Sequence, residues 1–237
     1  MTDKYGVKVT VVTVVYNGAE YIERAIDSVA QQSYPNIEYV IVDGGSTDGT
    51  LEILERRKAD ITRYISEPDK GIYDAMNKGI ALATGDWIYF LGCDDFLYPE
   101  FSEMCPRLKE PSTVYYGNVF HKGKVLNGEF NSYMLAKYPI LHQAVFYPRM
   151  AMEKYKYNLK YKVAADHYIT IQCWHDKDIK FQYEDICVAR YMEAGFSAVT
   201  RDEAFEKDRL KIVYKNFGLW VFVRFLCRWL KDKMRNR

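Results

Sequence analysis

What the chain lacks removes whole classes of function. Its 237 residues contain neither G-x-G-x-x-G nor G-x-x-x-x-G-K-[ST], so neither of the two commonest glycine-rich phosphate cradles is available. The five cysteines form no C-x-x-C pair, and the four histidines, His121, His142, His167 and His175, show no zinc-site spacing. An odd number of cysteines without pairing motifs points to reduced thiols and a cytoplasmic setting. No basic segment followed by an apolar core opens the chain, because the first apolar stretch alternates and is rich in valine, which suits a strand rather than a signal peptide. The longest later apolar stretch, Leu219 to Leu230, is broken by Arg224 and Arg228. It is also shorter than the roughly 20 residues that span a bilayer. Repeats and low-complexity tracts are absent as well.

A balanced formal charge of +1 conceals one asymmetry, since the last fourteen residues hold six cations against Asp232 alone. Half the chain, 49 %, is apolar and 16 % is aromatic, enough for a substantial core. The first half alternates in period. Strands are expected at 7–15, 38–43, 61–66 and 86–91, with helices at about 19–32, 48–59 and 72–83. The helices carry apolar stripes, Tyr21, Ile22, Ala25, Ile26 and Val29 in the first and Ile72, Ala75, Met76, Ile80 and Ala83 in the third. Asp48 or Ser46 can cap the second. Such alternation predicts βαβ crossovers and parallel pairing. After about residue 112 come short strands, a hairpin across H-K-G-K, a helix at about 164–175, strand-like sequence near 179–192 and helical sequence from about 202. The expected division is 1–112 as one half, 113–200 as a second half of the same domain that completes the site, and 201–237 as a C-terminal helical extension.

In sheets of this kind ligands sit beyond the carboxyl ends of the strands. The four loops there are Y-N-G from Tyr16, D-G-G-S-T-D-G-T from Asp43, E-P-D-K-G from Glu67 and G-C-D-D from Gly92. Asp43 can accept hydrogen bonds from ring or ribose donors and Tyr16 offers a stacking face, which together suit a nucleoside. Asp94 and Asp95 are adjacent hard oxygen ligands, suited to Mg²⁺ or Mn²⁺ shared with substrate phosphates.

Longer runs carry a resemblance. The stretch from Thr13 to Thr50, then E-P-D-K-G-I-Y-D-A-M-N-K-G-I (Glu67–Ile80) and A-T-G-D-W-I-Y-F-L-G-C-D-D (Ala83–Asp95), resemble the family 2, GT-A fold glycosyltransferases. The latter two runs resemble its bacterial branch that builds O-antigens, capsules and exopolysaccharides. The resemblance implies an α/β, Rossmann-like, mostly parallel sheet with helices on both faces. It also implies a metal-dependent inverting transfer from a nucleoside-diphosphate sugar, with UDP-hexose the expected donor. The acceptor would be a saccharide or lipid-linked saccharide. By position Tyr16 and Asp43 would contact the base, Asp94 the ribose side and Asp95 the metal, with Asp69 bordering the nucleotide. Many relatives carry an acid where this chain has Gly92, so Asp95 is the weighted ligand.

An inverting transfer needs a general base. The resemblance puts it in V-A-A-D-H-Y-I (Val163–Ile169) at Asp166, whose bland reading is a first-turn carboxylate favoured by the helix dipole. His142 and Gln143 resemble a pair that borders acceptor and diphosphate, although a lone histidine by a strand is more often structural. The turn from Ala194 to Ser197 resembles a donor loop with one glycine replaced. At the C-terminus, Arg224, Arg228, Lys231 and Arg235 align on one helical face among large apolar residues. That pattern fits a helix lying on an anionic membrane surface or one docked on the core with snorkelling arginines. Two other functions share these features: a metal-dependent nucleotidyltransferase, although Y-N-G-A-E is not basic, and a noncatalytic nucleotide-sugar or carbohydrate binder. Nucleic acid is not an expected partner.

Overall fold

The structure, a computed structural model, describes residues 6–192 and 202–235. Four strands, β1 (Val9–Val15), β2 (Ile37–Asp43), β3 (Arg63–Ser66) and β4 (Trp87–Gly92), pair in parallel in the order β3-β2-β1-β4. The crossovers are α1 (Ile22–Ala30), α2 (Thr50–Arg56) and α3 (Ile72–Leu82). Side chains alternate faces along a strand, and here both faces are covered. Val12, Val14, Val40, Val42, Ile88 and Phe90 point to the side of α3. Val9, Val11, Tyr39, Ile41, Tyr89 and Leu91 point to the side of α1.

Two expectations shift. Ile72 is 42 % exposed, whereas Tyr73 is buried with Ala75, Met76 and Ile80, because the helix starts at Ile72 and its inward face runs through 73, 76 and 80. The cap of α2 is Gly49, at φ +99°, rather than Asp48. Asp48 sits one residue further out, where its carboxylate accepts from the Thr50 N–H at 3.1 Å and from the Ala19 N–H at 2.9 Å.

The same sheet continues as β8 (Val145–Pro148), β6 (Thr113–His121), β9 (Lys180–Arg190) and β5 (Phe96–Leu97), with β7 (Lys124–Leu126) closing a hairpin on β6. The hairpin turns at Lys122 and Gly123, both at positive φ, as tight hairpins require. This half is mixed: β8 is antiparallel to β4 and to β6, while β6 and β9 are parallel. Helices α4 (Phe101–Met104), α5 (Ser132–Lys137), α6 (Arg149–Lys154) and α7 (Ala165–His175) pack around it. The last, α8 (Glu203–Arg235), is interrupted at Gly218 (φ 75°, ψ 171°), so it comprises two arms.

The register of β6 with β9 shifts between Tyr116 and Asn118. A side chain at Gly117, between them, would put its Cβ 2.4 Å from the backbone oxygen of Ile186. Gly117→Ala is therefore expected to cost about 1–3 kcal/mol, read as a lower urea midpoint with unchanged slope.

Candidate active site

The ends of the four parallel strands carry the loops singled out by sequence, and the first two are laced together. Asn17 takes φ +50°. Its N–H donates to Ser46 Oγ at 2.7 Å and its Oδ1 accepts from the Thr47 N–H at 2.9 Å. The Gly18 N–H donates to Thr50 Oγ1 at 3.0 Å. Asp43 is fully buried. Its carboxylate accepts from the N–H groups of Gly45 and Ser46, from Ser66 Oγ at 2.6 Å and from Ser46 Oγ. Asp43 thus shapes the loop with both oxygens, a role that its position at a strand end did not announce. Tyr16 stands 66 % exposed above it. Gly44 lies between Tyr16 and Asp69, where an added Cβ would meet Asp69 Oδ2 at 2.5 Å and Tyr16 Cδ2 at 3.3 Å. The other oxygen of Asp69 accepts from the Gly71 N–H at 2.7 Å. An exposed ring and a carboxylate thus share one shelf.

After β4 the chain turns, with the Asp95 N–H donating to the Gly92 carbonyl at 3.1 Å. Asp94 is half-buried, and its carbonyl accepts from Arg24 Nη2 at 2.7 Å. Asp95 is only 1 % exposed. Its two oxygens accept from Gln143 Nε2 at 2.9 Å and from the Met192 N–H at 2.8 Å. Burial, with Asp94 adjacent, pushes its carboxyl up to about 6. Burial and the same carboxylates push the Cys93 thiol up to about 12, so it stays protonated and is no ligand for a hard cation.

Gly92 belongs to this geometry. A Cβ there would lie 2.5 Å from Asp95 Oδ2 and 3.0 Å from Asp94 Oδ1, so both carboxylates converge on the space that the glycine leaves. Two hard oxygens around one unfilled position, one of them on an acid that burial destabilises when charged, fit a divalent cation completed by phosphate oxygens. No cluster of three or more His, Cys, Asp or Glu side chains arranged for a metal occurs among the described residues, so the described residues bring Asp94 and Asp95 together here without a third such ligand.

Asp166, in the first turn of α7, faces the same region. Its Oδ2 lies 3.3 Å from His142 Nδ1. Its Oδ1 accepts from the His167 N–H at 2.7 Å and sits 3.1 Å from the Tyr73 hydroxyl. Burial pushes this carboxyl up, but the hydrogen bond and charge of His142 and the His167 N–H outweigh it, and the net displacement is downward. His142 and Gln143 are consecutive in a short 3-10 turn. One faces Asp166, the other Asp95, and the turn itself is pinned by Tyr89, whose hydroxyl donates to the Gln143 carbonyl. The structure therefore joins Asp95, Gln143, His142 and Asp166 in one chain of contacts, and Tyr16, Gly44 and Asp69 in a second group.

Sequence reasoning missed Tyr73, Tyr89 and Arg24. Tyr73 lay one position off the assumed stripe, and a phenol inside an apolar strand such as W-I-Y-F-L reads as core. The turn Ala194–Ser197 lies outside the described residues.

These contacts sit on a fold and a sequence with known counterparts. The model of "Glycosyl transferase family 2" matches residues 10–171. The chain belongs to glycosyl transferase family 2. A "PGL/p-HBAD biosynthesis glycosyltransferase" of Mycobacterium bovis is 35 % identical over 229 residues, covering 91 % of this chain and 88 % of the relative. An uncharacterized glycosyltransferase of Mycobacterium tuberculosis is 31 % identical over 173 residues, 67 % of this chain and 65 % of that one. Among solved structures, S. aureus TarS 1–349 in complex with UDP-GlcNAc superposes with a TM-score of 0.73 at 18 % identity, covering 88 % of this chain and 66 % of that one. The mannosyltransferase PcManGT from Pyrobaculum calidifontis, in complex with GDP-Man and Mn2+, gives 0.65 at 18 % identity over 90 % and 64 %. The chain thus spans about two thirds of these structural neighbours. This family 2 glycosyltransferase has the α/β, GT-A-like fold expected. Its relatives are not specifically those of the O-antigen and capsule branch.

The raised carboxyl of Asp95 generates a prediction for the metal-free protein. A carboxyl whose folded value is about 6 against an ordinary 3.8 binds more protons folded than unfolded. It therefore lowers stability as pH rises from about 4 to 6, and the full cost persists above. Asp95→Asn removes this cost. The variant is expected to gain on wild type across that window, on the order of 2 kcal/mol by neutral pH, measured as the difference in thermal midpoint against pH.

Proposed function

We propose that this family 2 glycosyltransferase moves a sugar, with inversion, from a nucleoside-diphosphate sugar to a hydroxyl of a saccharide or lipid-linked saccharide acceptor. UDP-hexose is the first donor to test. The observation that carries the reading is the His142–Gln143 turn, one residue on Asp166 and the next on Asp95. Base chemistry and diphosphate chemistry need fixed relative placement, and one rigid turn supplies it.

Tyr16 offers its exposed ring to the base, with Asp69 beside it and Asp43 holding the loop beneath. Residues 1–112 act as the donor half and 113–200 as the acceptor half. Asp95 would hold Mn²⁺ or Mg²⁺, which stabilises the charge on the departing diphosphate when bound, and Asp94 beside it is read as the contact to the ribose side. The acceptor oxygen bonds to the anomeric carbon from the face opposite the diphosphate as the bond to the diphosphate oxygen breaks. Its proton passes to Asp166, held ionised at neutral pH by His142 and the His167 N–H. The growing glycan is read as a cell-surface one, made on the cytoplasmic side of the membrane. The relatives named for PGL/p-HBAD biosynthesis favour keeping the acceptor class wider than O-antigen or capsule.

Screening UDP-, GDP- and dTDP-sugars with Mn²⁺ by thermal shift identifies the donor. A cognate donor at a hundred times its Kd adds about 2.7 kcal/mol. With that donor, Asp166→Asn is expected to lower kcat by about 10²–10⁴ while donor binding persists; near-wild-type transfer would refute the assignment. His142→Ala leaves the carboxyl buried without its partner, so the acidic limb of the kcat profile should move to higher pH. An unmoved limb would separate His142 from the proton step.

A further inference from the structure

The break at Gly218 divides α8 into arms with different surroundings. The first arm is anchored, with Phe205, Ile212 and Val213 buried. In the second, Phe225 is buried, and Val221, Phe222 and Trp229 pack beside it against Tyr133, Ala136, Leu210 and Val213. That accounts for one stripe of the arm.

Two other stripes are left exposed. Leu219, Val223, Cys227, Leu230 and Met234 succeed one another at intervals of four, four, three and four residues, and all are exposed, Leu219 by 69 % and Met234 by 68 %. At about 100° per residue they form a continuous apolar line. Beside it runs a second line, Trp220, Arg224, Arg228 and Lys231, at intervals of four, four and three, again all exposed. Trp220, at 83 % exposure, is the most exposed large apolar residue described. Arg224 is held against the core surface by stacking over the Tyr133 ring at 3.8 Å. Between Tyr133 and the arm lies an open groove of about 430 Å³, walled by Trp220, Val223, Arg224 and Lys231 among others.

The core covers part of the apolar circumference of this arm and leaves the rest bordered by cations. We infer that the second arm of α8 is a docking surface for an anionic lipid bilayer, lying in the interface with Leu219, Val223, Leu230 and Met234 among the acyl chains. Trp220 and the Arg224–Arg228–Lys231 line meet the headgroups. Charge complementarity selects this occupant: an apolar line flanked by arginine, lysine and tryptophan matches the boundary between acyl chains and anionic phosphates. A second copy of the chain fits less well, because a two-fold contact over this face would bring like cationic lines together. Spanning is excluded for the described helices, none of which is long and apolar enough to cross a membrane. The inference rests on the proposed function only for its purpose, bringing the site to a lipid-linked acceptor.

Vesicle co-sedimentation of the full chain tests it without donor or acceptor, so its outcome is independent of whether the transfer reading holds. The wild type is expected to partition into phosphatidylglycerol–phosphatidylcholine vesicles at least about tenfold better than into phosphatidylcholine alone, and to lose that preference in high salt. Trp220→Gln with Leu230→Gln should reduce partition by about tenfold or more. Arg228→Gln with Lys231→Gln should lower the anionic preference roughly fivefold per cation. All four side chains are exposed, and an unchanged thermal midpoint checks that the fold is retained. The salt dependence of the wild type needs no variant. Equal partition into both vesicle types, or none, overturns the inference. So does a concentration-dependent dimer in size-exclusion chromatography that Trp220→Gln with Leu230→Gln dissolves in the absence of vesicle binding.

Discussion

The hydrogen bond from Gln143 to Asp95 ties the two halves of the molecule together at the candidate site. Asp95 follows the last strand of the parallel half, and Gln143 enters the first strand of the mixed half that pairs with it. The pairing of β4 with β8 brings the segments side by side, and the side-chain contact fixes which residue of the 3-10 turn faces the acid. His142, the residue before, is then committed to Asp166. A displacement of this turn by one residue would lose both contacts at once. Tyr89 opposes it through the Gln143 carbonyl, from a side chain wholly inside the sheet.

Two buried carboxylates at opposite ends of the parallel strands show how environment separates similar groups. Glu38, at the start of β2, is buried, and burial pushes its carboxyl up. The hydroxyls of Thr10 and Thr84, the Thr84 N–H and Lys8 outweigh this and hold it at about 2. Asp95, beyond the end of β4, has Gln143 and one N–H, faces Asp94, and rises to about 6. The same cost of burial is met in one place and left open in the other. The end at which it is left open is the end where open sheets place their ligands.

Much of this was legible in the sequence because period and loop chemistry are local. The valine-rich alternation of the first strand, the i, i+3, i+4 stripes of α1, and the polar loops at Tyr16, Asp43, Asp69 and Asp94 follow from neighbours a few residues apart. Asp166 and the His142–Gln143 pair came from resemblance rather than from spacing, since no local pattern relates residues 143 and 95. Whatever depended on distant contacts was not legible. The inward turn of Tyr73, the consumption of both Asp43 oxygens by its own loop, and the short strand β5 against β9 all require knowing what lies across the sheet. The C-terminal helix shows both limits at once, because its stripes could be written from sequence but not which of them the core would cover.

Gly92 has an implication for how this site can change over time. The space that Gly92 leaves is bordered closely by the carboxylates of Asp95 and Asp94. An acidic side chain cannot enter until Asp95 has been redirected, and redirecting Asp95 means releasing Gln143 and the Met192 N–H. Substitutions at Gly92 and at the residues that hold Asp95 are thus coupled rather than additive. Accommodating a side chain at Gly92 would therefore take paired changes on segments that lie far apart in the chain.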